Sequence, residues 1–403
     1  MKGKKLVAIL AMVGLLGTLS VTVRADGKQY TTKRVGGQTR IETAVNIANN
    51  YSSNQLSAVI VTTANNFPEA LVGSTLVSKL KAPILLVNQT AHDSQSTLDY
   101  IKTHLASNGT VYILGSTSSV SWDIESAIKY LGYTNIKRLA GTNEDETLKA
   151  INDEVGVPAG TPVFIASEDN FPDALSVSSI SAIKGYPVIL CSKGTLSDSD
   201  VEQLKKIKPS EVYIAGGTAA VSDAVVQQVA STTGLDSNKI TRLYGQDRYG
   251  TSLAIAKFFN LDTKDAIIAS GNNFPDALAG SSLALKNNAP IILVGNNTAR
   301  QRQYLDTTSI YNLTVLGGEG ALTSSEVNEI VTGVQLQSSS SGSTGGTSSR
   351  QSSASSQGGG STVSQPTQSS GGSENSSISS HGHGFDGTHS RTEKDSSFHA
   401  HTN

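Results

Sequence analysis

Three carboxylates and a repeated set of arginines are the residues in this chain with the most chemical potential. Glu69, Asp173 and Asp276 occupy one recurring pentapeptide, Asn-Phe-Pro-Glu-Ala at 66–70 and Asn-Phe-Pro-Asp-Ala at 170–174 and 273–277. Two carboxylates about 5–10 Å apart could cleave a glycosidic bond, but these three belong to separate copies, 104 and 103 residues apart. A serine nucleophile would need a partnered base. His92 and His104, both in the first copy, have no counterparts in the others, so a triad repeated per copy is ruled out. Neither His-Glu-x-x-His nor another zinc pattern occurs, and no cofactor and no metal centre is expected. Binding is left as the expected activity.

The arginines suggest what is bound. Arg34, Arg138 and Arg242 recur at 104-residue steps in an Arg-x-x-Gly motif. Six residues further on, Arg40 and Arg248 occupy equivalent places in Thr39-Arg40-Ile41-Glu42-Thr43 and Asp247-Arg248-Tyr249-Gly250-Thr251, whereas the second copy has Glu144 there. A guanidinium matches phosphate and carboxylate groups bidentately. These side chains could therefore pair with the motif carboxylates inside the fold or contact an anionic ligand.

The elements that must position them follow from apolar periodicity. Each copy carries an apolar run before the pentapeptide (Ala58 to Thr62 in the first), a small-residue helix after it (Pro68 to Leu80), and a second run opening on Pro83, Pro187 or Pro290. A further helix near 94–105, a strand at Val111 to Leu114 and a helix capped by Ser121 complete the first copy. The order αβαβαβα predicts parallel sheets buried on both faces by helices. Asn66, Asn170 and Asn273 suit helix caps, with proline near N1 and the acid favoured by the helix dipole. In open α/β sheets a ligand binds beyond the carboxyl ends of the strands, where this turn must lie. Gly73, Ser74, Ser176, Ser179, Gly280 and Ser281 read as close-packing residues. The glycines after the third strand, at 115, 216–217 and 317–318, read as tight turns rather than a nucleotide cradle.

Composition frames these copies. Lys2, Lys4 and Lys5, an apolar stretch from Leu6 to Leu19 and Val23-Arg24-Ala25 read as a signal peptide over residues 1–25, too short for a confident membrane span. No cysteine follows it for lipid attachment, so attachment to a surface is expected to be non-covalent. The lone Cys191 forms no intramolecular disulfide and reads as a buried strand residue. The formal charge is −2, but without the leader and tail 24 basic residues face 29 acidic ones, a balance of −5. That lacks the basic field of a nucleic-acid or membrane binder. After about Val334 the chain turns to Ser, Gly, Thr and Gln, the composition of a disordered tail (335–403), with His381, His383, His389, His399 and His401 near its end.

The three motifs, recurring three times in one order from about Arg34 to Gly333, resemble the cell wall-binding repeat type 2 family of Gram-positive surface proteins. The repeats would span 34–137, 138–241 and 242–334. The resemblance implies Rossmann- or toprim-like α/β units packed as a pseudo-threefold triangle. It further implies a secreted, wall-associated protein that binds an anionic secondary wall polymer or lipoteichoic acid. The candidate polymer-binding residues are Arg40, Arg248, Arg34, Arg138, Arg242, Asn66, Asn170, Asn273, Pro83, Pro187 and Pro290. Glu144 is the departure from the pattern. Alternatives are a wall-remodelling hydrolase or amidase-associated protein, or a structural coat component.

Overall fold

Short apolar runs become the buried strands, and the segments between them become the helices that cover both faces. The computed structural model of the chain describes residues 20–23, 28–272 and 276–334, all within one unit, Met1–Ser339. Asn273, the tail with its histidines and the rest of the expected leader lie outside the described residues. After β1 (Ser20–Val23), the first repeat runs β2 (Tyr30–Val35), α1 (Arg40–Tyr51), β3 (Leu56–Thr63), α2 (Pro68–Val72), α3 (Ser74–Leu80), β4 (Ile84–Val87), α4 (Gln95–His104), β5 (Leu105–Leu114) and α5 (Trp122–Tyr130). The second runs β6 (Ile136–Leu139), α6 (Glu144–Val155), β7 (Val163–Ser167), α7 (Phe171–Lys184), β8 (Val188–Cys191), α8 (Asp198–Ile207), β9 (Val212–Ala215) and α9 (Asp223–Thr233). The third runs β10 (Ile240–Leu243), α10 (Arg248–Phe259), β11 (Asp265–Ser270), α11 (Gly280–Asn287), β12 (Ile291–Val294), α12 (Ala299–Asp306), β13 (Asn312–Leu316) and α13 (Ser324–Thr332).

Three sheets result, in the orders β4-β3-β5-β6, β8-β7-β9-β10 and β12-β11-β13-β2-β1. Every pairing among β2–β13 is parallel, as the alternating pattern requires. The exception is β1, which adds antiparallel to β2 from within the segment read as a leader. The strand carrying each Arg-x-x-Gly motif completes the sheet of the preceding repeat: β6 pairs with β5, β10 with β9, and β2 crosses the whole chain to pair with β13. Sequence repeat and sheet are thus out of phase by one strand. The opening motifs were expected only as motifs, and the strands they form are an addition to the αβαβαβα order.

The small-residue helices meet at the centre. α3, α7 and α11 pack in all three pairings, with Ser74 Oγ 2.9 Å from Ser181 Oγ and Thr75 Oγ1 2.8 Å from the same hydroxyl. The helix expected over Pro68 to Leu80 is divided at Gly73. A Cβ there would lie 2.5 Å from Leu114 Cδ1, and one at Gly280 would lie 2.7 Å from Leu316 Cδ1, so these helices rest directly on their sheets. One core threads all three repeats through Leu71, Leu76, Leu175, Ile180, Leu278 and Leu283, and a separate apolar cluster backs the outer face of each sheet. Cys191 is buried there, its thiol pushed up to about 12 by burial, as expected of a packing residue.

Tyr30 anchors the closing strand. It is fully buried, its hydroxyl donates to Asp306 Oδ1 at 2.7 Å, and Arg302 lies over its ring at 5.2 Å. Tyr30→Ala should cost about 3–5 kcal/mol in urea unfolding, the range for large aromatic truncations. Hydrogen exchange should then quicken in β11–β13 rather than in β3–β5, because Tyr30 belongs by position to the third sheet.

Candidate functional site

The site elements gather at the carboxyl ends of the strands, where each repeat meets the next. A glycine in a left-handed conformation follows the third strand of every repeat: Gly115 (φ 110°), Gly216 (φ 105°) and Gly317 (φ 92°). The motif acid lies against it. A Cβ would sit 3.1 Å from Glu69 Oε1 at Gly115, 2.5 Å from Asp173 Oδ2 at Gly216 and 2.8 Å from Asp276 Oδ2 at Gly317. Only glycine fits both the backbone and the acid. The turns lead into helices whose N-caps are Ser121, Ser222 and Thr323, as expected.

Arg34, Arg138 and Arg242 clamp these turns. Arg138 Nη1 donates to the carbonyls of Gly115 and Val120, both at 2.9 Å, while Nε and Nη2 reach Glu125 Oε2 at 3.2 and 2.9 Å. Arg242 repeats this on Gly216 (3.0 Å), Val221 (2.7 Å) and Asp223 (3.0 Å). Arg34 does so on Gly317 (3.0 Å), Gly318 (3.2 Å) and Glu319 (3.3 Å). Burial works to raise the Glu125 carboxyl, but hydrogen bonds from Lys129 and Arg138 hold it below its usual range. The partners of this set are carbonyls and acids of the preceding repeat, none of them a motif carboxylate. Among the described ion pairs, no arginine bridges to Glu69, Asp173 or Asp276.

Arg40 and Arg248 are placed differently. Each stands at the first position of its helix, after caps provided by Thr39 and Asp247. Arg40 Nη1 donates to the Ala64 carbonyl at 2.8 Å and Arg248 Nη1 to the Gly271 carbonyl at 2.6 Å. Neither forms an ion pair among the described residues, so most of the five donors on each guanidinium stay available. The Arg248 guanidinium also lies 5.8 Å from the Phe171 ring, and Phe67 and Phe171 meet edge-on at 6.0 Å, so the first two pentapeptide loops converge. Burial raises the Asp173 carboxyl, while the Thr251 hydroxyl and the Arg248 charge oppose the rise. At the junction of the third repeat with the first, a cleft of about 520 Å³ is lined by Arg40, Thr39, Asn65, Asn88, Asp276 and Gly318.

The first junction inverts the charge. Glu144 opens α6 where the other helices open on arginine, and burial, Glu69 and Asp145 push its carboxyl up. Glu168 is pushed up to about 7 by burial and by Asp145, Asp169, Asp200 and Glu144. Asp200 is pushed up to about 6, chiefly by burial. No group of three His, Cys, Asp or Glu side chains among the described residues is arranged to hold a metal ion.

Other candidates divide by position. Asn66 and Asn170 lie exposed at the loops: Asn170 takes the expected N-cap of α7, though without a side-chain hydrogen bond, whereas Phe67 rather than Asn66 takes the N-cap of α2. Pro83, Pro187 and Pro290 are buried at the opposite ends of the strands, where their carbonyls accept from Ile60 (3.0 Å), Phe164 (2.9 Å) and Ile267 (3.0 Å). The structure does not bring them to the arginines. Sequence reasoning passed over Thr43, Thr147 and Thr251 as functional positions. Their hydroxyls accept from the amides of Gly37 (3.0 Å), Gly141 (2.9 Å) and Gly245 (3.2 Å) and fold the arginine loop onto its helix. Their constant six-residue offset from the glycine was the available signal.

Comparison with known proteins agrees with this layout. Cell wall binding domain 2 (CWB2) matches residues 34–125, 138–226 and 242–328. The chain is 28% identical over 302 residues to the N-acetylmuramoyl-L-alanine amidase LytC of Bacillus subtilis (strain 168), covering 74% of this chain and 58% of that protein. It is 29% identical over 263 residues to the amidase enhancer of the same organism, covering 65% of this chain and 34% of that one. Among solved structures it shares its fold with Cwp6 from Clostridium difficile at a TM-score of 0.69 and 24% identity, covering 78% of this chain and 50% of that one. Cwp8 from the same organism aligns at a TM-score of 0.66 and 23% identity, covering 74% of this chain and 51% of that one. With three matched copies over more than half its length, this chain belongs to the cell wall binding domain 2 family.

Proposed function

We propose that the protein is secreted and attaches non-covalently to the Gram-positive wall by binding an anionic, teichoic acid-like polymer through Arg40 and Arg248. The observation that carries this is the division among the arginines. Arg34, Arg138 and Arg242 are committed to carbonyls and acids, whereas Arg40 and Arg248 each make one carbonyl contact and no described ion pair. Both stand at helix N-termini, where the backbone dipole adds to their attraction for an anion. With 24 basic against 29 acidic residues in the repeat region, long-range attraction to a polyanion is unfavourable. Short-range bidentate contacts therefore carry the binding. The exposed Asn66 and Asn170 side chains are placed to add hydrogen bonds from the neighbouring loops.

A second reading places the same anchor beside a wall amidase. The relatives named as an amidase and an amidase enhancer support it, and both are longer than the part this chain matches. The motif carboxylates do not favour catalysis by the repeats themselves, because each is packed against the glycine turn of its own repeat.

Arg40→Ala and Arg248→Ala should each weaken retention on purified walls by about 1.5–3 kcal/mol, roughly 10- to 100-fold in Kd, in proteins that remain folded. Arg138→Ala should instead lower stability by about 1–3 kcal/mol, because the Gly115 and Val120 carbonyls and Glu125 Oε2 lose their donor while Lys129 stays on Oε1. Raising salt towards 1 M should release the wild-type protein as screening shortens to about 3 Å. Salt-insensitive retention, together with folded Arg40→Ala and Arg248→Ala proteins that bind like wild type, would overturn the anionic reading in favour of neutral sugar recognition.

A further inference from the structure

At two of the three junctions the chain provides its own cation near the motif acid: Arg248 for Asp173, and Arg40 in the cleft that Asp276 also lines. At the first junction it provides none. α6 opens on Glu144, and α2, which carries Glu69, packs directly against α6. Glu69 is only 4% exposed. Its Oε1 accepts from Ser119 Oγ at 3.0 Å, but its Oε2 is buried without a hydrogen-bond partner. Neither Glu69 nor Glu144 enters an ion pair among the described residues. A buried carboxylate oxygen without a partner, in the field of a second carboxylate, is unfavourable while both are ionised, and either a proton or a bound cation relieves it.

We propose that this junction takes a hydrated divalent metal ion, held by Glu69 Oε2 and the Glu144 carboxylate, in the role that a guanidinium fills at the other two. The donors are oxygens, which suit hard cations rather than soft ones. Two carboxylates fall short of the six to eight oxygens of a dedicated calcium cage, in keeping with the absence of a three-ligand group among the described residues. They match the way magnesium binds, through one or two carboxylates with water completing its shell. Asp145 and Glu168 share the negative field of Glu144. The site does not depend on which polymer the wall supplies.

The test is thermal unfolding of the full chain, without polymer, in MgCl2 or CaCl2 against NaCl of equal ionic strength. Wild type should gain about 2–4 °C in Tm at roughly tenfold excess over its Kd, and NaCl should give no such gain. Glu69→Gln and Glu144→Gln should each lose the gain. Glu144→Arg, which installs the charge found at the other junctions, should also lose it, and its Tm without metal should equal or exceed that of wild type. This variant keeps the test decisive if Glu69→Gln fails to fold. The histidines of the tail do not confound it, because imidazole is a poor ligand for these hard cations. A wild-type protein with no divalent-specific gain, or a Glu144→Arg protein that keeps the full gain, would overturn the proposal.

Discussion

Each repeat lends one strand to the sheet before it, and the geometry of all three junctions depends on that loan. When β6 pairs with β5, Arg138 is carried to the Gly115 turn, and its guanidinium fixes the turn through two carbonyls. The turn glycine can then approach the motif acid, and the helix that follows the lent strand begins beside it. The same sequence of contacts runs from β10 to Gly216 and from β2 to Gly317. A hydrogen-bonded ladder thus sets where Glu144, Arg248 and Arg40 stand. The site is a by-product of sheet closure, and its charge can change from junction to junction without disturbing the frame.

That separation of frame from charge explains how the chain can hold opposite fields on one architecture. The residue at the start of α1, α6 or α10 projects from a helix terminus that the ladder has already positioned, so its identity is free to vary. Arginine there leaves a hydrogen-bonding group facing outward; glutamate leaves an acidic basin continuous with Asp145 and Glu168. The mild overall acidity of the repeats is therefore a poor guide to any one junction.

Much of the frame could be read from the chain itself. Runs such as Ile84–Val87 and Val163–Ser167 are buried on both faces, so they appear as unbroken apolar stretches. The small residues of the central helices announced their close packing for the same reason. The lent strands were harder to see. Tyr30–Val35 has only its two ends buried, and Lys137 and Arg138 point to partly wetted surroundings, so no alternation marks them. The roles of the arginines could not be told apart in sequence either. Arg34 and Arg40 lie six positions apart, and what distinguishes them is Gly317, 283 residues from Arg34 along the chain. The place of the prolines was hidden for a related reason: their recurrence marks the start of a buried strand, at the end of the sheet away from the loops.

The pairing of β2 with β13 also orders events in time. β2 leaves a ribosome long before its parallel partner does, because β13 sits at the end of the third repeat. Closing a loop of such length is entropically costly, though the cost rises only slowly with length. Long-range parallel pairing is also slow. Until it happens, the partner edge of β13 is an open template for other chains. The polypeptide consequently has a built-in waiting period: the first two sheets can assemble as synthesis proceeds, and the third becomes whole only when both ends of the fold are present together.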